Sequence, residues 1–437
     1  MARGWDLGGW ALGDLLTTLF ERKRAGDVTA SGKPLPALCR ALLSGQGEVS
    51  GMKHAAEVLM RYRHAGPEEK AAFFRFLADE MDVDTGAVIA AAQAYADTPD
   101  ARNMAALLEA AEPPRQELLR RLNQAPGGTA DLVAMRVDLM AAAKAEPDLG
   151  RVDLDFRHLF ASWFNRGFLV LRRIGWESPA NILEKIIEYE AVHEIHSWDD
   201  LRRRLEPPDR RCFAFFHPAM PDDPLIFVEV ALTRGIPGAV GPLLAEDRAA
   251  LSPSEVDTAV FYSISNCQAG LRGISFGNSL IKQVVDVLGR EIAGLKTFVT
   301  LSPIPGLTRW IKSQEDEAAL TMLEADPAKL DADALRRLAA RYLLEAKAED
   351  GAPLDPVARF HLGNGAEVHD IHAAADLSDK GRQQSCGAMV NYLYDPARVE
   401  QNHEAFATHK TIAAARGVKA LAAAVKDRKE KGQKTNG

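Results

Sequence analysis

The sequence predicts an α+β, multidomain chain: an all-α helical domain over residues 1–148, then an α/β domain with a mixed central sheet over residues 149–437, closed by C-terminal helices. Three observations predict it. Ala-rich stretches with apolar residues three and four apart fill the first 145 residues. Runs rich in β-branched and aromatic residues begin only at residue 212. A strand, a glycine loop, a helix and a further strand succeed one another between residues 259 and 302, an order that implies a parallel strand pair.

The helical part reads EEKAAFFRFLADEM, GAVIAAAQAYA, ARNMAALLEAAE and ADLVAMRVDLMAAAKAE, broken at Gly66-Pro67, Pro113-Pro114 and Gly127-Gly128. It carries no evident chemistry, and its expected role is packing and oligomerisation. The texture changes near residue 150 with the aromatic-rich LDFRHLFASWFNRGFLVLRRI, followed by the amphipathic helix NILEKIIEYEAVHEI. The expected strands are CFAFFH (212–217), LIFVEVALT (225–233), AVFYSIS (259–265), KTFVTLS (296–302) and, late in the chain, AMVNYLY. Residues 315–347 return to helix, 350–386 read as loop, and the last 35 residues are helical.

A chain of 437 residues at a prior of roughly 150 residues per domain holds two or three domains. The net charge of −8 argues against a nucleic-acid partner, because such proteins carry a basic surface. Arg3, Asp6 and Asp14 interrupt the apolar N-terminal stretch, so no signal core is expected. No run of 18 apolar residues occurs, so no membrane span is expected either. Cys39, Cys212, Cys267 and Cys386 form no C-x-x-C pair and read as free thiols in a reducing, cytoplasmic setting.

The segment FYSISNCQAGLRGISFGNSLIKQVV holds the most information. A strand ends near Ser265, a loop with Gly270, Gly273 and Gly277 follows, and a helix begins near Asn278. Glycine lets the backbone approach a phosphate, and the free N–H groups of a helix start attract one. Arg272 could add a charge-assisted hydrogen bond. The loop resembles the R-x-x-G-x-G/A loop with which GNAT N-acetyltransferases bind the CoA diphosphate, here Arg272-Gly273-Ile274-Ser275-Phe276-Gly277, with Ser275 where glycine is usual.

KTFVTLS runs straight into PIPGLTRWI. Pro303 and Pro305 fix their own φ angles and bias Ser302 and Ile304 toward extended backbone, which places Ser302 on a stiff strand end. Ligands of open α/β sheets gather at such ends. No G-x-S-x-G elbow surrounds Ser302. Further on, Asp355-Pro356 reads as a helix cap and first helical residue, and Gly363 and Gly365 as the helix end. His361 falls in the last turn, where the helix dipole favours an imidazolium able to give up a proton near neutral pH. His369 and His372 lack a third metal ligand and read as solvated loop histidines. His217 is a second candidate for substrate contact. Asn391, Tyr392 and Tyr394 could line a pocket or fill the core.

In chain order, FNRGFLVLRRIGWESPANILEKI, DDPLIFVEVALT, the glycine loop, TFVTLSPIPGLTRW, ARFHLGNGA and LSDKGRQQSCGAMVNYLYD resemble the malonyl-CoA decarboxylase family, LSPIPG with FHLxNGA most specifically. The resemblance implies a GNAT-like α/β domain and a helical domain that supports homo-oligomers, dimers or tetramers. It implies decarboxylation of malonyl-CoA to acetyl-CoA through a thioester enolate, with no metal and no organic cofactor; CoA belongs to the substrate. It implies Ser302 and His361 as the catalytic residues; the expected chemistry casts Ser302 as positioning the malonyl group or thioester oxygen and accepting a proton in a relay, and His361 as proton donor. Both would touch the substrate, together with the loop Arg272, Gly273, Ile274, Ser275, Phe276, Gly277 and Asn278, in which Ser275 stands where some relatives carry glutamate. Two rival readings stand beside it. One is a CoA-dependent acetyltransferase with Glu229 as base, and the other a non-catalytic CoA-sensing scaffold.

Overall fold

The computed structural model describes residues 32–44, 48–274, 280–314, 320, 323 and 331–424. Their contacts divide them into two compact units. The first holds the described residues up to Phe168 together with His217–Pro221 and residues 268–274. The second holds Leu169–Phe216, Asp222–Cys267 and the described residues from 280 onward.

The first unit is helical: α1 (Leu35–Leu43), α2 (Glu48–His64), α3 (Pro67–Asp79), α4 (Thr85–Asp97), α5 (Ala101–Ala111), α6 (Pro114–Asn123), α7 (Gly128–Ala142) and α8 (Gly150–Trp163). Proline opens α3 and α6, where its missing N–H costs nothing. The Asp84 side chain accepts from the Gly86 and Ala87 amides to cap α4. Phe73, Leu77, Leu118, Leu122, Leu132 and Phe156 form the core. An ion pair between Arg115 and Asp155, both buried, ties α6 to α8. Although α8 lies beyond residue 148, it packs on α3, α6 and α7. Helices α4 and α5 differ from the rest: they pack on each other, bury no residue, and expose Ile89 and Leu108 by 65% and 64%.

The second unit is built on a mixed sheet of β1 (Val170–Ile174), β2 (Arg210–Phe216), β3 (Ile226–Thr233), β4 (Thr258–Asn266), β5 (Thr297–Thr300), β6 (Ser302–Pro303), β7 (Glu367–His372) and β8 (Met389–Leu393). The order is β1-β2-β3-β4-β5-β8-β6, with β7 also on β8. Neighbours from β1 to β4 are antiparallel, β4 and β5 are parallel as the sequence order requires, and β8 runs antiparallel to β5, β6 and β7. Helices α9 (Ala180–Tyr189), α10 (Trp198–Leu205), α11 (Gly241–Leu244), α12 (Leu280–Glu291), α13 (Leu307–Ser313), α14 (Ala332–Glu345), α15 (Pro356–Gly363), α16 (Asp379–Ser385), α17 (Val399–His409) and α18 (Arg416–Ala423) complete it. A helical region followed by an α/β domain with a mixed sheet is the expected class.

Several elements differ from expectation for local reasons. VLRRI forms β1, an edge strand whose two arginines hid it from a hydrophobic-pattern search. EVHDIH forms β7 within the segment read as loop, bulged at His369. Helix α9 stops at Tyr189, because the Glu190 carboxylate takes the Val192 and His193 amides and turns the chain. KTFVTLS is not one strand: its ladder with β4 ends at Thr300, and Ser302 pairs instead with Val390 of β8. Among the described residues no helix is long and apolar enough to cross a membrane. All four cysteines are free thiols; Cys39, Cys212 and Cys267 are buried and Cys386 half-buried.

Candidate active site

Successive side chains of an extended strand alternate between faces, so Thr300 and Ser302, two apart, share one. So do Tyr392 of the antiparallel β8 and Tyr394, one residue past its end. Helix α15 presents His361 to this surface. The Asp355 carboxylate caps that helix, accepting from the Val357 and Ala358 amides at 3.0 and 2.9 Å, and Pro356 occupies the first helical position. Asp355 is itself fully buried, which holds its carboxyl above the ordinary range, while the Gly306 amide and the Tyr342 hydroxyl press the other way. Gly306 lies in the turn that leaves Ser302, so one carboxylate faces both the serine turn and the histidine helix.

The two expected catalytic residues meet. Ser302 Oγ lies 3.1 Å from His361 Nε2 and donates to Thr300 Oγ1 at 2.8 Å. With the serine hydrogen committed to Thr300, the serine oxygen accepts from Nε2–H. His361 Nδ1 is then an acceptor for the Tyr394 hydroxyl, 2.8 Å away. Tyr392 stacks on the imidazole with ring centroids 4.5 Å apart. The result is a directed chain of neutral donors from Tyr394 through His361 and Ser302 to Thr300, every member buried.

One expectation is overturned here. The helix dipole does not keep His361 charged. The ring is 2% exposed, has no carboxylate beside it among the described residues, and burial pushes its pKa down to about 3. Removing an imidazolium from water outweighs the partial charge of a helix end. His361 is therefore neutral at physiological pH.

The other candidates separate. His217 sits in the first unit with both ring nitrogens engaged: Nε2 donates to the Trp163 carbonyl at 3.1 Å and Nδ1 accepts from the Ala219 amide at 3.1 Å. It packs 4.9 Å from the Phe164 ring. His369 and His372 are strand residues rather than solvated loop histidines. His372 bonds Asn391, and Asn391 in turn donates to the Thr300 carbonyl at 2.8 Å. Among the described residues no three His, Cys, Asp or Glu side chains gather to hold a metal ion. Glu229 is wholly buried and 3.3 Å from Arg204; burial and the nearby Glu190 nonetheless raise it to about 8.

Of the expected substrate loop, Arg272, Gly273 and Ile274 are described and belong to the first unit, whereas Ser275, Phe276, Gly277 and Asn278 lie outside the described residues. Gly273 has φ +79°, a conformation suited to glycine. In the second unit, Pro305, Gly306, Arg309, Trp310, Tyr342 and Pro356 line a cavity of about 380 Å³ beside the turn that leaves Ser302. Thr300 was missed by the sequence analysis, although the T-x-S spacing in a strand was the available signal. Tyr394 was named without a role.

These features set the class: a protein with an α/β domain that holds a buried serine–histidine pair. The malonyl-CoA decarboxylase C-terminal domain matches residues 167–434 and the malonyl-CoA decarboxylase N-terminal domain residues 81–164. The chain belongs to the malonyl-CoA decarboxylase family. It is 52% identical to the malonyl-CoA decarboxylase of Rhodopseudomonas palustris, whose crystal structure superposes with a TM-score of 0.84 over 88% of this chain and 98% of that one. The Agrobacterium vitis structure gives 51% identity and a TM-score of 0.84 over 89% and 100%. The mitochondrial malonyl-CoA decarboxylase of Anser anser anser is 34% identical, covering 84% of this chain and 82% of the relative.

Proposed function

We propose that the chain decarboxylates malonyl-CoA to acetyl-CoA and carbon dioxide, with Ser302 and His361 as catalytic residues. The observation that carries this reading is the 3.1 Å contact between the serine oxygen and Nε2 in a water-poor site. Loss of carbon dioxide leaves an electron pair on the α-carbon, spread onto the thioester oxygen as an enolate. In this reading Ser302 faces that oxygen and relays a proton, which His361 supplies from Nε2. The Tyr394 hydroxyl at Nδ1 offsets the charge left on the ring. The reaction takes up one proton for each carbon dioxide released, so the proton passed from Nε2 to the α-carbon is replaced from solvent by way of the Tyr394 hydroxyl at Nδ1. The thioester is its own electron sink, so the reading calls for no metal or organic cofactor. Dialysis against a chelator is expected to leave turnover unchanged.

The acetyltransferase alternative loses its base: Glu229 has no exposed surface and is committed to Arg204. Incubation with malonyl-CoA and no acceptor amine decides between the two. Acetyl-CoA and carbon dioxide are expected from the wild type and not from Ser302→Ala; intact malonyl-CoA would end the decarboxylase reading.

We read the enzyme as a cytoplasmic homo-oligomer, dimer or tetramer. Support for self-association comes from α4 and α5, two helices with no buried side chain and two large exposed apolar residues. Light scattering on the double variant Ile89→Asp, Leu108→Asp should show a smaller particle. The four free cysteines support a reducing compartment.

A further inference from the structure

Arg136 rises from α7 with 2% of its side chain exposed. Asp153, in the first turn of α8, accepts from its Nε at 2.7 Å and from its Nη2 at 3.3 Å, which fixes the plane of the guanidinium. The remaining nitrogen, Nη1, donates to two main-chain carbonyls, those of Gly270 at 2.7 Å and Arg272 at 2.9 Å. One turn earlier on α7, the Val133 carbonyl lies against Gly270 so closely that a Cβ there would sit 2.0 Å from its oxygen. Helix α7 thus grips the segment at two adjacent points.

The peptide plane gives this grip a direction. In a trans peptide the N–H points opposite to the C=O. With the Arg272 carbonyl turned onto Arg136, the Gly273 N–H is turned away from α7. That N–H has no hydrogen-bond partner among the described residues, although its neighbours Leu271, Arg272 and Ile274 all donate within the segment. The Arg272 side chain is exposed and makes no ion pair among the described residues. A free amide and a free guanidinium on consecutive residues are what an anionic ligand requires.

We infer that Arg136 is a positioning residue for the diphosphate of the CoA thioester: it holds the peptide between Arg272 and Gly273 so that the amide and the Arg272 side chain face the ligand. The helical unit, read from sequence as free of chemistry, therefore contributes to substrate binding. The inference rests on reading the segment from Arg272 as the malonyl-CoA loop.

The test compares malonyl-CoA with malonyl-pantetheine, which lacks the diphosphate and nucleotide. Arg136→Met should raise KM for malonyl-CoA about tenfold with kcat held within about twofold, and leave KM for malonyl-pantetheine unchanged. Asp153→Asn should move the same ratio in the same direction. Arg136→Lys, which keeps a charge without the planar fork, should fall between. Should Arg136→Met fail to fold, the lysine and Asp153→Asn variants decide by the same ratio. Equal losses on both substrates, or a fall in kcat with KM held, would overturn the inference. The loop reading has its own control. The wild type should prefer malonyl-CoA to malonyl-pantetheine, and Arg272→Ala should remove most of that preference. Arg272→Ala without effect would overturn the loop reading and the inference with it. A normal Arg272→Ala response beside an unresponsive Arg136→Met would overturn the inference alone.

Discussion

The Tyr394 hydroxyl and His361 Nδ1 lie 2.8 Å apart, and with the Ser302 hydrogen given to Thr300 it is Nδ1 that accepts, from this hydroxyl. With Nδ1 accepting, Nε2–H faces Ser302. Tyr394→Phe removes the partner while keeping the ring. The expected result is a fall in kcat of about tenfold, the worth of one buried hydrogen bond, with KM within about twofold. Steady-state kinetics would reveal it; an unchanged kcat would take Tyr394 out of the proton chain.

Ser302 stands between an imidazole and a threonine hydroxyl. If Ser302 faces the developing oxyanion as proposed, Ser302→Ala should cost about 10²–10³-fold in kcat, as for donors of this kind. Thr300→Val takes away only the neighbour of that group, so a smaller fall is expected. Circular dichroism on both variants checks that the fold survives. Full activity in Ser302→Ala would remove its catalytic role.

Much of this site was legible in the sequence. Pro303 and Pro305 marked Ser302 as a rigid strand end, and Asp355-Pro356 marked the start of the helix that presents His361. What failed was electrostatic. The position of His361 in a last helical turn says nothing of Tyr392 above it or of its 2% exposure, and those decide its charge. Thr300 and Tyr394 escaped for a related reason: their roles depend on β5, β6 and β8 meeting across about ninety residues of sequence, a pairing that local pattern does not encode. Strand β7 was lost because EVHDIH, with four polar residues in six, pairs on a part-buried edge where hydrophobic alternation is weak.

Asp355 joins the turn after Ser302 to the helix that carries His361, and its replacements should divide accordingly. Asp355→Ala strips the cap from α15 and is expected to cost about 1–2 kcal/mol in urea unfolding. Asp355→Asn keeps an acceptor for the Val357 and Ala358 amides and suits a site that already disfavours a charge, so a loss under about 0.5 kcal/mol is expected. Equal destabilisation by both would show that the charge, and not the cap, is what matters.

The pH dependence of stability has a definite sign. Burial holds His361 at about 3 and His193 at about 4, whereas unfolded histidine titrates near pH 6.5. Between about pH 6.5 and 4 the unfolded chain therefore binds more protons, and acidification favours unfolding. Glu229, raised to about 8, works in the opposite sense: its contribution is full below the unfolded carboxyl value and is lost as pH rises through 8. Melting temperatures should fall as pH drops from 6.5 toward 4, and His361→Gln should flatten that slope. An unaltered slope would show that His361 is charged in the folded protein.

Cys386 ends α16 in the left-handed region, φ +53°, with its sulfur 3.9 Å from the Thr308 hydroxyl on α13. The other three thiols are buried, and burial raises each of them further from the reactive thiolate form. A maleimide dye added to the native enzyme would therefore mark Cys386, beside a threonine six residues downstream of Ser302, and its emission would follow the serine turn through turnover without any engineered cysteine.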